Sequence, residues 1–352
     1  MYLAGLGTAV PPRSYTQPEC WEALQRADRP ELNARTRAIL QGILTHDNGI
    51  ARRSLALESL DEGFDLDADT LHRRFALHAP RLASEAAARA LERAGLEARA
   101  VDAVLVSTCT GYLCPGLTSY VNEALGLRRD VLPLDLVGQG CAAAMPNLAT
   151  AQALLDSRRA GVVLSVCVEV CSAAMYLDGD LGVLVSACLF GDGAAAAVLV
   201  GQAPSSTRRV RFRAAESVTA PEHRDALRFE TRGGRLRNIL TLPVPGLAAR
   251  HARDVFDSAL ARNGVDRAGI GGWIVHAGGR RVLEEVGGAL QLDARDLRFS
   301  AAVLSEFGNL SSPFVLFVLE RALREGAPGG LWWMSSFGAG FSCHGALLEV
   351  AA

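Results

Sequence analysis

Apolar runs of strand length alternate with segments of helical period through most of the chain. In the first half, strands are predicted at residues 103–107, 131–137, 161–168 and 193–200, and helices over 80–94, up to Leu125 and from Cys141 onwards. In the second half, helices are predicted over 248–263, from Gly279 and near 312–313, and strands at 272–275, 331–334 and 344–350. This alternation is typical of an α/β fold in which helices cover buried sheets.

A polar, arginine-rich stretch at residues 202–213 separates two parts of the chain, and predicted strands and helices alternate similarly in both parts. Each part has a loop-to-helix turn near its centre. We therefore predict two similar halves, residues 1–205 and residues 206–352, related by duplication.

Composition narrows the range of partners. The chain has 352 residues, of which 49% are hydrophobic and 21% charged, which is enough for a large core. The formal net charge of -2 gives no reason to expect nucleic acid, so small molecules are the expected partners. All 36 basic side chains are arginine. Without lysine, catalysis through a lysine Schiff base is excluded.

The cysteine pattern predicts a reducing environment. The eight cysteines lie mostly in apolar segments and lack the spacing of a secreted disulfide scaffold, which favours the cytoplasm. Cys167 and Cys171 are four residues apart, but no second close pair or neighbouring histidine completes a zinc site, so no metal is expected. The N-terminus has no basic segment before its short apolar stretch, and Glu169 and Asp192 interrupt later apolar runs. We therefore expect neither export nor a membrane span.

Cys141 is the candidate nucleophile. It follows an apolar predicted strand and a Gly138-Gln139-Gly140 turn, and it opens an alanine-rich predicted helix. Unpaired N–H groups at a helix start carry partial positive charge, so we expect the pKa of this thiol to lie below about 8.5, the value of a free cysteine. A single cysteine in an apolar context is more often an inert core residue, so the prediction depends on partners elsewhere in the chain.

His276 and Asn309 are the candidate partners. His276 ends an apolar predicted strand and is followed by small residues, and the carboxyl ends of strands are where α/β sheets place their active sites. Asn309 lies on a glycine-containing turn before a predicted helix, where asparagine is more often a turn or cap residue. Together with Cys141 they would supply a nucleophile, an imidazole and an amide donor for acyl transfer.

The segments around these three residues resemble the catalytic motifs of type III polyketide synthases, the chalcone synthase family. They are residues 140–141 (GC), 273–279 (WIVHAGG) and 304–312 (LSEFGNLSS). Residues 189–194 (LFGDGA) and 336–340 (SFGAG) resemble two further signatures of the family. The motifs occur in order over almost the whole chain, so chance agreement is a poor explanation.

The resemblance implies a thiolase-like, five-layered αβαβα fold and a cytoplasmic homodimer. It implies an acyltransferase that joins acyl thioesters by Claisen condensation and forms cyclised polyketides or pyrones. Cys141 would be acylated, and His276 and Asn309 would promote decarboxylation of a malonyl-type extender and stabilise the enolate. No cofactor is expected besides coenzyme A or a carrier-protein phosphopantetheine as the thioester carrier. The residues expected to line the substrate pocket are Phe190, Cys109, Cys114, Asn238, Ser311 and Gly338.

Four of these pocket residues match particular places in the family. Phe190 matches the aromatic residue that guards the junction between active site and entrance tunnel in the family. Asn238 lies near the place of a second aromatic gatekeeper in plant members, so the resemblance does not determine the width of the tunnel here. Cys109 and Cys114 lie on the loop that lines the cavity in the family, with Cys114 near where one subunit reaches toward its partner.

The segment that holds coenzyme A phosphates in plant members differs more strongly. Residues 37–47 are mostly apolar here and include Asp47, whereas phosphate recognition requires arginine or lysine. Arg52 or Arg53 could replace those residues. Delivery by a carrier protein is the alternative, and arginines such as Arg73, Arg74 and Arg81 could then meet its acidic surface.

Four other interpretations stay open at this point. Carrier-dependent joining of two β-ketoacyl chains into an α-pyrone would need no decarboxylation, and an initiating ketoacyl synthase of fatty-acid type has the same triad. A Cys-His-Asn set also occurs in hydrolases, although the predicted fold disfavours acyl transfer to water. The fourth is a non-catalytic scaffold subunit of thiolase fold, which the intact triad argues against.

Overall fold

Thirteen strands and ten α-helices make up the part of the chain that the computed structural model describes, residues 1–27, 29–30, 32–175, 177, 180–204 and 208–351. The strands are β1 (Tyr2–Ala9), β2 (Ser14–Thr16), β3 (Arg52–Ser54), β4 (Ala103–Thr108), β5 (Leu132–Val137), β6 (Val162–Glu169), β7 (Gly193–Val200), β8 (Val210–Thr219), β9 (Leu227–Arg232), β10 (Arg235–Leu240), β11 (Ile270–Val275), β12 (Gly330–Gly338) and β13 (Ser342–Val350). The helices are α1 (Gln17–Arg26), α2 (Ala34–Thr45), α3 (Ala68–Ala94), α4 (Leu117–Leu125), α5 (Ala144–Asp156), α6 (Leu181–Leu189), α7 (Val244–Asn263), α8 (Arg280–Ala289), α9 (Arg298–Phe307) and α10 (Phe314–Arg324).

Nine of the strands form one mixed sheet in the order β11-β12-β13-β8-β1-β7-β6-β4-β5. Strands β1 and β4 to β7 come from the first half of the chain, and β8 and β11 to β13 from the second half. The two sets meet only where β1 and β8 pair through Tyr2 with Arg211 and Leu3 with Val210. The sheet is therefore two half-sheets that touch along one short seam.

Helices cover both half-sheets and also fill the space between them. Helix α3 packs on β1, β6 and β7, while α7 packs on β8 and β13 and is itself covered by α8. Helix α5 contacts β4 and β6 on one side and β12 and β13 on the other, and α10 similarly contacts strands of both half-sheets. The order of layers is helix, sheet, helix, sheet, helix, which confirms the predicted αβαβα architecture.

The close packing of α3 depends on small residues in the facing strand. A Cβ added to Gly5 of β1 would lie 2.1 Å from the carbonyl oxygen of Ala90, and one added to Gly7 would lie 2.3 Å from that of Ala86. Both alanines are fully buried on the face of α3 that meets the sheet. Glycine against alanine lets the helix backbone approach the strand directly, which a larger side chain at either position would prevent.

Helix α3 is longer than the helix predicted over residues 80–94. It starts at Ala68, with the Asp67 side chain accepting from the N–H of Thr70, and it continues through Pro80. Leu71 and Phe75 extend the buried stripe by two turns before the proline, so tertiary burial outweighs the hydrogen bond that proline removes. The sequence reading was wrong in taking the proline as a helix start.

The boundary predicted between residues 205 and 206 lies outside the described residues. Strand β8 begins at Val210, inside the stretch that the sequence pattern treated as a join. The division into halves stays a prediction. The predicted boundary lies just before β8, the strand that joins the two half-sheets by pairing with β1. Within the described residues, no helix combines the length and apolar character needed to cross a bilayer.

Candidate active site

Cys141 lies on a tight turn between β5 and α5. Gly138 and Gly140 adopt positive φ angles of 89° and 55°, which fold the chain back after β5. Cys141 is in the middle of a single 3₁₀ turn, Gly140–Ala142, and α5 starts only at Ala144. The prediction that Cys141 opens the helix was therefore wrong by three residues, since the first turn is 3₁₀.

The Cys141 thiol is buried rather than activated in this structure. Its side chain packs against Cys171 and Phe190, and the residue is 8% exposed. Burial raises the pKa of Cys141 to about 12, although a hydrogen bond from Ser311 acts in the opposite direction. The expectation of a lowered pKa was wrong because loss of hydration outweighs the field of a helix that begins further along the chain.

Asn309 is fixed by strand-like contacts on its main chain. Its N–H donates to the carbonyl oxygen of Leu189 at 2.8 Å, and its own carbonyl accepts from the N–H of Gly191 at 3.0 Å. This parallel bridge holds Asn309 beside Phe190. The side-chain Nδ2 donates to the carbonyl of Gly278 at 3.3 Å, which attaches Asn309 to the loop after His276.

Ser311 connects Asn309 to the nucleophile. Its Oγ donates to the sulfur of Cys141 at 3.2 Å, and its N–H donates to Oδ1 of Asn309 at 2.8 Å. Ser311 is almost fully buried and has a φ of 59°, a left-handed conformation that is uncommon for residues other than glycine. A continuous set of hydrogen bonds therefore runs from Cys141 through Ser311 and Asn309 to Gly278.

His276 lies directly after β11, where its N–H donates to the carbonyl of Ser335 at 2.9 Å. The imidazole is buried, with edge-on contacts to Phe314 and Phe337 whose ring centroids are each 5.1 Å away. Neither ring nitrogen has a hydrogen-bond partner within the described residues. Burial lowers the pKa of His276 to about 3, so the ring is neutral near pH 7.

The end of β12 joins the histidine to the nucleophile turn. Phe337 contacts His276, and the next residue, Gly338, lies against the turn that carries Cys141. A Cβ on Gly338 would be 2.5 Å from both the nitrogen of Ala142 and the carbonyl oxygen of Gln139. Gly338 was predicted to line the substrate pocket, and the structure places it where it lets β12 approach the turn closely.

A buried carboxyl group, Glu169, lies beside the nucleophile and was not selected from the sequence. Burial raises its pKa, against several hydrogen bonds that lower it. It accepts from Thr110 Oγ1 at 2.9 Å, from the N–H and the thiol of Cys109 at 3.0 and 3.3 Å, and from Ser312 Oγ at 2.5 Å. The available signal was a charged residue at the end of an otherwise apolar predicted strand.

Cys109 contacts this network, whereas Cys114 does not. The sulfur of Cys109 is 3.5 Å from Ser311 Oγ, so both predicted pocket residues lie next to the nucleophile. Cys114 is exposed on the loop before α4. The sequence placed these two cysteines in one cavity, and the described part of the chain brings only Cys109 to it.

Two spaces are lined by neighbours of Cys141, although Cys141 itself is not among the residues that line either of them. A cleft of about 560 Å³ opens beside the turn, within the range of small-molecule sites, and its lining includes Cys109, Gly138, Gly140, Tyr112, Phe229 and Ala339. A smaller cavity of about 20 Å³ is lined by Phe190, Asn238, Cys171 and Phe229, among others. The predicted pocket residues Phe190 and Asn238 therefore line the same small cavity.

Two arginines considered for recognition of coenzyme A or a carrier are not available. Arg53 is buried and donates to the carbonyl oxygens of Ala187 and Phe190 at 2.8 and 2.9 Å. Arg74 is also buried and donates to the carbonyls of Ser172 at 2.7 Å and Glu62 at 2.8 Å. Those assignments were wrong because both guanidinium groups are used to complete the hydrogen bonds of buried main chain.

The remaining candidates are at the surface. Arg52, Arg73 and Arg81 are exposed. Asp47, which appeared opposed to phosphate binding, forms an ion pair with Arg280 at 2.8 Å, so its charge is offset. The segment around α2 therefore repels a phosphate less than its sequence suggests.

Every cysteine is a free thiol in the described part of the chain. The same residues contain no group of three or more histidine, cysteine, aspartate or glutamate side chains that could hold a metal ion. Cys167 and Cys171 are both buried, and burial raises the pKa of each thiol.

Two family models match adjoining parts of the chain. Residues 70–231 match the model described as FAE1/Type III polyketide synthase-like protein, and residues 214–349 match that of the C-terminal domain of chalcone and stilbene synthases. Together they include all three residues of the predicted triad.

Similar proteins agree over nearly the full length. The 3,5-dihydroxyphenylacetyl-CoA synthase of Streptomyces toyocaensis is 32% identical over 99% of this chain and 89% of its own length. The 1,3,6,8-tetrahydroxynaphthalene synthase of Streptomyces peucetius subsp. caesius is 31% identical over 99% of this chain and 92% of that protein. Its counterpart from Streptomyces coelicolor A3(2), a bacterial type III polyketide synthase, has a solved structure with a TM-score of 0.89, 25% identity and full coverage of both chains. The chain belongs to the type III polyketide synthase family of acyl-transferring ketosynthases.

Proposed function

We propose that this enzyme condenses acyl thioesters through Cys141, with His276 and Asn309 as its partners, and releases a cyclised product. The observation that carries the proposal is the set of hydrogen bonds from Cys141 through Ser311 to Asn309, which continues to the loop after His276. Three segments far apart in sequence are thereby held around one thiol. A core cysteine without function would not need such an arrangement.

The first step is transfer of an acyl group to Cys141. The sulfur attacks the thioester carbonyl, the carbon–sulfur bond of the donor breaks, and the thiol proton passes to the departing thiolate. Because the pKa of Cys141 is about 12 in its buried state, few molecules hold a free thiolate near pH 7. A base is therefore needed when the thioester arrives. We assign that role to His276, whose pKa is about 3 in this buried state; a thiolate that forms beside the ring favours the protonated imidazole and raises that pKa.

The second step forms the carbon–carbon bond. A malonyl-type thioester loses carbon dioxide, and the resulting enolate carbon attacks the acyl carbonyl on Cys141, whose sulfur leaves as thiolate. Negative charge develops on the thioester oxygen of the enolate. Asn309 uses one N–H on Gly278 and has a second to donate, and neither ring nitrogen of His276 has a hydrogen-bond partner among the described residues. Donors that are fixed beforehand stabilise such charge without reorganisation.

We further propose coenzyme A as the thioester carrier, with no bound cofactor required. The relatives with the name 3,5-dihydroxyphenylacetyl-CoA synthase support this delivery. In this chain the ion pair with Arg280 offsets the charge of Asp47, which lies two residues after α2, and Arg52 is exposed nearby in sequence. Joining of carrier-bound β-ketoacyl chains is the competing possibility.

A homodimer that acts in the cytoplasm completes the proposal. Strand β5 is the last strand of the sheet order and has a partner on one side only. Its residues Leu132 and Val137 are 40% and 58% exposed, and the nearby Tyr112 is 70% exposed. An unpaired edge with exposed apolar side chains is a typical association surface. The free cysteines support a reducing compartment.

The deciding experiment measures acylation of Cys141 by mass spectrometry. The protein is incubated with malonyl and β-ketoacyl thioesters, each carried on coenzyme A and on an acyl carrier protein. We expect a mass increase on the Cys141 peptide from coenzyme A donors. Acylation from the carrier protein alone would replace the proposed delivery and favour pyrone joining. No acylation from any donor would leave a scaffold subunit as the explanation.

Variants separate the roles of the three residues. Cys141→Ala is expected to abolish condensation while the fold is retained, as judged by circular dichroism. His276→Gln and Asn309→Leu are expected to abolish product formation while some acylation of Cys141 persists. Product formation at the wild-type rate in both variants would contradict the assigned roles.

A further inference from the structure

Three arginines at the start of β8 line a cleft that is separate from the active site. The cleft has a volume of about 440 Å³, within the range of small-molecule sites. Arg209, Arg211 and Arg213 contribute to it, and all three are exposed. The rest of the lining comes from β1, β12, β13 and the residue after β13: Tyr2, Gly330, Leu331, Glu349, Val350 and Ala351. The cleft therefore lies at the seam between the two half-sheets.

Strand β12 separates this cleft from the nucleophile. Its first residue, Gly330, lines the cleft, whereas its last residue, Gly338, lies against the turn that carries Cys141. The eight residue steps between the two glycines cover roughly 26 Å of strand. A small ligand in the cleft therefore has no contact with an acyl group on Cys141.

The conformation of β8 brings the three side chains to one cleft. Arg209 extends the pairing of the strand, because its carbonyl accepts from the N–H of the residue after β13 at 2.8 Å. Arg211 is two residues further and projects from the same face, about 7 Å away. The register against β13 shifts between Phe212 and Ala214, so Arg213 has no residue opposite it. Such bulges redirect side chains, and here the third guanidinium group joins the other two.

The protein itself makes little use of these three guanidinium groups. Arg211 lies 3.7 Å from a carboxylate oxygen of Glu349, and its guanidinium carbon is 5.9 Å from the centre of the Tyr2 ring. Among the described residues, Arg209 and Arg213 form no ion pair, and none of the three side chains donates a hydrogen bond. All of their N–H groups are therefore available to a ligand.

Arg208, the residue before Arg209, shows the contrast with a structural arginine. Its guanidinium donates to the carbonyl oxygens of Leu323, at 3.0 Å, and of Ala327, and it lies over the ring of Trp332. These contacts complete the hydrogen bonds of main chain at the end of α10. The arginines of the cleft face no such carbonyl oxygen in the described part of the chain.

The charges in the cleft do not cancel. Three arginines stand against one carboxylate, and the Arg211–Glu349 pair is weak because both side chains are about half exposed. The chain as a whole has a formal net charge of -2, so a local excess of positive charge is a feature of this place and not of the composition. The planar donors of arginine match phosphate oxygens, and several of them along one strand match a chain of linked phosphates.

We propose that this cleft binds a small anion with at least two linked phosphate groups through Arg209, Arg211 and Arg213. The inference goes beyond the proposed function and does not depend on it. A bound anion reduces the repulsion among the three arginines and contacts the strands of both half-sheets at their seam. Because it binds the folded protein, it stabilises the fold by mass action. Inorganic pyrophosphate and a nucleoside diphosphate share this chemistry.

The test measures binding of two probes, inorganic pyrophosphate and ADP, by isothermal titration calorimetry on the full-length protein without added metal. The cleft variant combines Arg209→Gln with Arg213→Gln, because neither side chain has a partner to lose within the described residues. The control variant combines Arg99→Gln with Arg159→Gln, which removes the same charge from two exposed arginines outside the cleft. Glu349→Gln removes the one acidic group of the cleft.

We expect the cleft variant to bind pyrophosphate at least about tenfold more weakly than wild type, and the control variant to bind it within about twofold of wild type. Glu349→Gln should tighten binding by about two- to fivefold, since the anion no longer meets a negative charge. Higher salt should weaken binding to the wild type. Tighter binding of ADP than of pyrophosphate would assign the site to a nucleotide, and equal or weaker binding to the inorganic anion.

Two results would overturn the assignment. The first is that neither probe binds to the wild-type protein, and the second is that the cleft and control variants lose affinity equally. If the cleft variant does not fold, Arg213→Gln alone gives the same comparison. Both variants should acylate Cys141 at the wild-type rate. Failure of wild-type acylation would therefore remove the proposed function and leave the cleft, whereas failure of diphosphate binding would remove the cleft alone.

Discussion

Replacement of Gly338 by alanine should disable the nucleophile while the protein stays folded. The added Cβ would lie 2.5 Å from the nitrogen of Ala142 and from the carbonyl oxygen of Gln139, and 2.8 Å from Cβ of Ala142. Ordinary contacts of a Cβ begin at 3.4 Å. The turn with Cys141 and the end of β12 must therefore separate by roughly 0.9 Å in a close-packed interior. Gly338 does not have a positive φ, so the substitution acts through this contact alone.

The expected losses differ in size between stability and activity. Overpacking of a core by one methyl group costs about 1–3 kcal/mol of unfolding free energy, which a domain of this size tolerates. A displacement of about 1 Å at a reacting group reduces rates by about 100-fold. The sulfur of Cys141 would also lose its alignment with Ser311 Oγ, now 3.2 Å away. We expect a stability loss near 2 kcal/mol and about 100-fold slower acylation.

Both quantities can be measured on the same preparation. Quenched-flow mass spectrometry gives the rate of Cys141 acylation, and urea titration gives the unfolding free energy. Gly271→Ala is the matched control, since Gly271 lies in β11, has no positive φ and has nothing within 4 Å of its added Cβ. If Gly338→Ala acylates within twofold of wild type, the reasoning from close approach is refuted. If Gly271→Ala loses as much activity, the effect is not specific to the turn.

Three further predictions concern the surroundings of the site. Ser311→Ala removes the hydrogen bond that lowers the pKa of Cys141, so alkylation by iodoacetamide at pH 8 should slow by about tenfold, and an unchanged rate would contradict this role. Arg53→Met should lower the unfolding free energy in urea by about 3 kcal/mol, because one buried and one partly buried carbonyl oxygen lose their donor. Burial lowers the pKa of His344 to about 4, so below pH 6.5 the unfolded state takes up a proton that the folded state refuses. The free energy of unfolding therefore decreases as the pH is lowered through that range. Between pH 7 and pH 5, His344→Asn should lose about 2 kcal/mol less of this free energy than the wild type. Equal losses would show that His344 is not the group responsible.

The sequence was sufficient for the elements whose signal is local. Strand β7 runs over Gly193–Val200, the residues that the apolar pattern predicted, and helix α4 ends at Leu125 as expected. Apolar periodicity and glycine turns are properties of neighbouring residues, so they are visible without knowledge of the fold. The motifs around Cys141, His276 and Asn309 were also local, and their order sufficed to indicate the family.

Other features failed at the sequence level because they depend on contacts distant in the chain. Helix α3 runs through Pro80 since its buried stripe meets β1, and Arg53 is unavailable since its partners include the carbonyl of Phe190. The same holds for Glu169, whose five hydrogen bonds come from residues at least 59 positions away. No local pattern encodes such partners.

The sequence by itself therefore determined the layered fold and the family, and it predicted which residues carry the chemistry. The tertiary structure alone decided their electrostatic state and their hydrogen bonds. Burial sets the pKa of Cys141 to about 12 and that of His276 to about 3. For the thiol this is the opposite of the lowered pKa that a position at a helix start had predicted. Packing also left both ring nitrogens of His276 without a hydrogen-bond partner in the part of the chain that the structure describes. Desolvation and pairing are properties of the whole packed environment, and a one-dimensional pattern specifies them only after the chain has folded.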